Sequence, residues 1–213
     1  MTNFISGIEF IFRGGFMIYP LLIAALISLT VIFERMLVFR TRYQANPILT
    51  AEILEDVRTS QLTEAQKKCA KFSNPVCAVL QSGIEHFSNP IMEMELAMKN
   101  QAEQWVPILE KRIGILDTII TAAPLMGLLG TITGMMASFK VLSEKGVNQP
   151  NAITGGVAEA LIATATGLVI ALISMFAYNY LSSKVKHFIY EVESAASRLI
   201  EARMAVERNG GGK

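Results

Sequence analysis

Glu159, Thr164 and Thr166 stand inside an otherwise apolar run, GGVAEALIATATGLVIAL, from Gly155 to Leu172. Between Ile153 and Tyr180 there is no lysine, arginine or histidine. An ionised carboxylate in hydrocarbon is costly, so an acid in such a run faces water, a cavity or a partner. Two alternatives stay open: a protonated Glu159 hydrogen-bonded to a neighbouring helix, or a side chain that reaches the membrane surface. A second apolar run, ILDTIITAAPLMGLLGTITGMMASF from Ile115 to Phe139, adds Thr131 and Thr133. Hydroxyls and one carboxylate at membrane depth suit a water-lined interior that several copies of the chain build together.

Helix spacing relates these groups. If the two runs are antiparallel helices, Thr131 and Thr164 lie at similar depths, roughly 12 and 16 Å from the joined ends. At 100° per residue, Glu159 and Thr164 are about 140° apart around the axis, whereas Thr166 is nearly in line with Glu159. Thr131, Glu159 and Thr164 are the leading candidates for a polar path. Thr133 and Thr166 either widen it or bond to carbonyls of their own helix. Small residues recur beside them: Gly127, Thr131, Gly134 and Ser138 in one run, and Gly156, Ala160, Ala163, Gly167, Ala171 and Ser174 in the other. Such stripes let helix backbones approach in lipid, so Gly127, Gly134, Ala163 and Gly167 are read as packing residues. Intrachain packing accounts for part of this, and an oligomer accounts better for helices with several polar faces.

Of 213 residues, 52% are hydrophobic and only 17% charged. Soluble domains carry about 25% charge, so the composition points to membrane spans. The first apolar run, Met17–Phe33, reaches roughly 25 Å as a helix, just enough to cross. With no lysine or arginine before Arg13 and no small-x-small cleavage site, it reads as a retained anchor. The chain is therefore expected to be an all-α membrane protein. Its spans are 17–33, 115–139 and 153–180, with a short segment 1–16, a loop 140–152, a helical region 34–114, a helix 181–208 and a disordered tail 209–213. Sixteen of nineteen lysines and arginines fall in 34–114 and 181–213. The positive-inside rule makes those segments cytoplasmic and the N-terminus periplasmic. Asn74-Pro75 and Asn89-Pro90 are expected helix starts with a capping side chain. The helix through Trp105 and Pro107 is expected to run straight into the second span, giving a helical stalk.

Several classes are excluded. Cys69 and Cys77 match no zinc or redox spacing and read as reduced thiols, while His86 and His187 read as solvated, so neither metal nor cofactor is implied. A net charge of +1 and a single tryptophan argue against nucleic acid. No H-E-x-x-H, G-x-S-x-G or paired intramembrane acids support an enzyme. Three spans without an internal repeat do not suit an alternating-access carrier.

The pair APLMGLLGTITGM and GGVAEALIATATGL resembles the paired signature of the ExbB/TolQ/MotA family of inner-membrane motor subunits, on its ExbB/TolQ branch. The resemblance extends over essentially the whole chain. It implies a proton-motive-force transducer in the bacterial inner membrane: a homopentamer whose second and third spans line a pore. That pore holds a dimer of a single-span ExbD/TolR-like partner, whose membrane aspartate carries the proton. Work passes to a TonB/TolA-like effector. By motif position, Thr131 matches the family's second-span threonine, and Glu159 and Thr164 match the third-span glutamate and threonine. Glu159 would then face a polar lumen. Thr133 and Thr166 are additional to the pattern. The alternative is a non-conducting membrane scaffold.

Overall fold

A computed structural model describes residues 15–41, 47–72, 74–145 and 150–210. The described residues form seven helices: α1 Ile18–Thr41, α2 Pro47–Arg58, α3 Leu62–Ala70, α4 Pro75–Glu85, α5 Ile91–Glu110, α6 Ile113–Lys145 and α7 Pro150–Gly210. The fold is all-α as expected, and α1, α6 and α7 are the three helices long and apolar enough to cross a membrane. The short segment before residue 15, the middle of the α6–α7 connection (146–149) and residues 211–213 lie outside the described residues. Of the expected tail, Asn209 and Gly210 belong to α7.

Two compact units divide the chain. One comprises the residues up to Glu34 together with Arg112–Tyr180. Its core is Ile18, Leu21 and Ala24 of α1, Ile119 and Ala123 of α6, and Ile170 and Ala171 of α7. Polar contacts supplement it. The Ser28 and Ser174 hydroxyls meet at 2.7 Å in a buried bond between α1 and α7. At the other end of α1, Arg112 pairs with Glu34 at 3.0 Å. A hydroxyl exposed to hydrocarbon has no water to bond, so pairing two serines removes that cost for both helices.

The second unit contains Arg35–Lys111 and Leu181–Lys213. Its core is made of large side chains, including Ile53, Leu80, Met94, Met98, Leu109, Leu181 and Leu199, all essentially inaccessible. The apolar positions of α2 to α5 recur at three- and four-residue spacing, which puts them on one face of each helix. Arg203 is buried there, held by Glu207 at 3.0 Å and lying over the Phe87 ring. At the start of α4, Asn74 accepts a hydrogen bond from the Cys77 amide at 2.7 Å, the capping arrangement expected before Pro75. The second Asn-Pro pair behaves differently. Pro90 occupies the cap position of α5 without a side-chain bond, and Asn89 instead donates to Glu93 at 3.0 Å.

One expectation fails here. The helix containing Trp105 and Pro107 does not continue into the second span, because α5 ends at Glu110 and α6 begins at Ile113. Arg112 has φ 65°, a left-handed conformation that interrupts the α-helical hydrogen-bond ladder. Pro107 itself is tolerated inside α5. The thiols are free and both buried, and burial pushes Cys69 up to about 12 and Cys77 upward as well. His187 is exposed beside Glu191, whereas His86 is only half-exposed, with its ring nitrogen 2.9 Å from the Ser82 carbonyl.

Candidate functional site

The site is built on the antiparallel contact between α6 and α7. Ala123, Gly127, Gly130 and Gly134 recur at three- and four-residue spacing and form the buried stripe of α6. Gly127 meets the Thr164 backbone, with room for no more than 3.0 Å between an added Cβ and the Thr164 Cα. Gly134 faces the Gly156 carbonyl and Ala160 in the same way, and Gly167 faces the Ala123 carbonyl and Gly127. Gly127, Gly134, Ala163 and Gly167, the residues read as packing residues, are thus brought together in one intrachain contact. The helices touch backbone to backbone because no side chain stands between them.

This register fixes the level of each polar candidate. Thr164 is level with Gly127, and its hydroxyl donates to the Gly127 carbonyl at 3.0 Å. Thr131 stands between Gly127 and Gly134, level with the turn of α7 that contains Glu159. Four residues of α6 separate it from the Thr164 level, roughly 6 Å along the axis. The other hydroxyls bond within their own helices. Thr131 donates to Leu128 at 2.7 Å, Thr133 to Leu129 and Gly130 at 3.1 Å, and Thr166 to Ile162 at 2.8 Å. A threonine hydroxyl has a single hydrogen and two lone pairs. Each of these four has given its hydrogen to a backbone carbonyl, so what it offers outward is an acceptor. That arrangement solvates a cation, a water proton or a protonated carboxyl.

Glu159 is half-buried, and its carboxyl packs against the backbone of Gly15, directly before α1. A Cβ on Gly15 would fall onto that carboxyl, and Gly15 also has φ 69°, so two independent reasons demand glycine there. Around the axis of α7, Glu159 shares its face with Ala163, Ile170 and Ser174, the residues that meet α6 and α1. Within one chain the carboxyl therefore points toward the start of α1. The sequence carries no direct signal for this contact, because the partner is a glycine backbone about 140 positions away and not a charge. Ser28 and Ser174 are a second omission; their burial and pairing were foreshadowed only by the small stripe that includes Ser174. Among the described residues, no group of three or more histidines, cysteines or carboxylates could hold a metal ion.

The geometry is that of a tightly joined helix pair bordered by acceptor oxygens. A model of the MotA/TolQ/ExbB proton channel family matches residues 71–194, more than half the chain. The chain belongs to this family. Relatives include the putative biopolymer transport protein ExbB-like 3 of Synechocystis sp., 30% identical over 172 residues, which covers 80% of this chain and 82% of that protein. The Tol-Pal system protein TolQ of Haemophilus influenzae is 31% identical over 196 residues, covering 82% of this chain and 84% of the relative. The biopolymer transport protein ExbB of Aquifex aeolicus is 41% identical over a shorter stretch of 86 residues, 40% of this chain and 58% of the relative. As a MotA/TolQ/ExbB member the chain is a membrane protein of the proton-channel type. The family match contains all of α6 and the part of α7 that bears Glu159, Thr164 and Thr166.

Proposed function

We propose that this chain is the pore-forming subunit of a proton-driven motor of the ExbB/TolQ type in a bacterial inner membrane. Several copies, five by analogy with the family, would surround a single-span partner of the ExbD/TolR kind, and work would pass to a TonB/TolA-like effector. Charge distribution supports an orientation with the N-terminus periplasmic and the region 34–114 and the C-terminal helix cytoplasmic, where they would form a helical stalk. The observation that carries the proposal is the set of outward acceptor oxygens on a rigid helix pair: Thr131 and Thr164 roughly one turn apart in height, with Glu159 at the level of Thr131.

In this reading the threonines do not relay the proton. A carboxyl on the partner carries it, and the lone pairs of Thr131 and Thr164 lower the cost of the protonated carboxyl or hydrated proton at two successive levels. A gradient contributes about 2.3 kcal/mol per proton per 100 mV, enough to bias one conformational step about fiftyfold. Glu159, next to Gly15, would set the charge at the upper level while anchoring the start of α1. Thr133 and Thr166, additional to the family pattern, would border the path without being required.

A scaffold without conduction is the second reading. It is favoured by the Thr164–Gly127 bond, which has a packing role of its own. One experiment separates the two. Thr164→Val removes the acceptor and a single interhelical bond, the latter worth about 0.6 kcal/mol, so assembly should survive. The mass of the intact complex in mild detergent reports assembly and any bound single-span partner. Proton-driven output in cells reports coupling. An assembled but uncoupled mutant supports the motor, whereas full output from Thr164→Val would remove Thr164 from the path and leave the scaffold.

A further inference from the structure

The geometry points to Asp117 as the acidic terminus of the polar path on α6, at the end of the span away from Thr131. Asp117 lies four residues into α6, within a helix apolar enough to cross the membrane. Its side chain is exposed, and among the described residues no cation meets its carboxyl. Around the helix, Asp117, Thr121, Pro124 and Thr131 fall within an arc of about 80°. This arc runs beside the buried stripe of Ala123, Gly127 and Gly134, and extends roughly 21 Å along the axis.

The arc carries acceptors at its two ends, while Leu128, which also falls within it, is exposed and apolar. Thr121 gives its hydrogen to the Thr118 carbonyl at 2.9 Å and leaves its lone pairs outward. Pro124 has no N–H, so the Ile120 carbonyl lacks the amide that would bond it four residues on. The Gly127 carbonyl already accepts from Thr164. The arc therefore offers acceptor oxygens at the Thr131 level and again at Ile120 and Thr121, roughly 15 Å further along, and it ends at a group able to take a proton up. A carboxylate in this position receives the proton from the last water of the path and returns it to bulk water, with no net change in the protein. The inference rests on the conducting reading of the chain and names its second end.

Thr118 provides the control. It is adjacent, is also exposed, and bonds to the Gly114 carbonyl at 3.1 Å, but it lies about 100° from Asp117 and off the arc. The full-length chain, purified with its bound subunits, is reconstituted in liposomes that enclose a pH-sensitive dye. A potassium diffusion potential then drives proton entry. Asp117→Asn should slow the flux about tenfold or more, in keeping with the loss of a positioned proton acceptor. Asp117→Glu should restore it, Thr121→Val should slow it by a smaller factor, and Thr118→Val should leave it unchanged. Wild-type flux in Asp117→Asn, with Thr164→Val inactive, would overturn this inference and leave the channel intact. Equal slowing by Thr118→Val would also overturn it, since the effect would then belong to the helix end and not to the arc. Liposomes that stay silent with the wild-type chain would remove the conducting reading, and the inference with it. Should Asp117→Asn fail to assemble, the contrast between Thr121→Val and Thr118→Val decides.

Discussion

The two units of this chain solve the packing problem with opposite materials. In the membrane helices, Gly127, Gly134 and Gly167 bring α6 and α7 together along their backbones. In the second unit, Leu80, Met98, Leu109 and Leu199 fill the centre with bulk. The difference follows from the solvent. Where water is the alternative, each buried leucine gains roughly 1.5–3 kcal/mol by leaving it. Where lipid is the alternative, a leucine gains nothing from a leucine neighbour, and close approach with dispersion and hydrogen bonds must supply the cohesion. A bulky side chain is an asset in the second unit and an obstacle at the α6–α7 contact, although α1 still packs on that pair through Ile18 and Leu21.

This contrast predicts an inversion in how the units respond to mutation. The largest effect should come from truncation in the second unit, with Leu80→Ala costing about 2–5 kcal/mol. The buried thiols Cys69 and Cys77 serve as reporters, since a thiol-reactive dye added during heating labels them only when that unit opens. A melting temperature unchanged by Leu80→Ala would mean that the core is less dense than described. Next in size is an addition. Gly167→Ala, which sets a methyl against the Ala123 carbonyl, should cost about 1–3 kcal/mol although it adds a single carbon. Denaturation in mixed micelles with rising SDS, followed by circular dichroism, measures this. A neutral result would show that α6 and α7 are separated by more than backbone contact. The smallest effect belongs to Ser28 and Ser174, whose coupling in a double-mutant cycle with alanine should be about 0.6 kcal/mol by the same titration. Strict additivity of the two single changes would show that their 2.7 Å contact contributes nothing.

Much of this was legible in the sequence because periodicity survives translation into helices. The spacing of Gly127, Gly134 and Ser138 falls on the contact face of α6, although Thr131 of the same series stands beside that face and Gly130, outside the series, lies in it. Asn74-Pro75 marks the start of α4. What escaped has physical causes. The interruption before α6 depends on the left-handed conformation of Arg112, a residue type that gives no warning, whereas the neighbouring Gly114 lies inside the helix. Asn89 had two options, its own backbone or the side chain of Glu93, and composition does not rank them. The position of Glu159 escaped for a third reason. Its neighbour is the backbone of Gly15, and a backbone leaves no mark on charge patterning. Seen from the sequence, the acid had no partner; in the structure it stands where α1 begins, and the absence of any side chain is what admits it.

Glycine and alanine also lack rotamers, and this has a mechanical consequence for α6 and α7. Flexible side chains at an interface allow neighbouring helices to slide by re-sorting their χ angles in small increments. The pairing of Gly127 with Thr164 and of Gly134 with Gly156 leaves only the short Thr164 and Ser138 side chains to re-sort. Little entropy is lost when the pair forms, and few intermediate settings exist once it has. The two helices would therefore turn and tilt as one rod, and any displacement in a working cycle would be taken up at softer boundaries than this one.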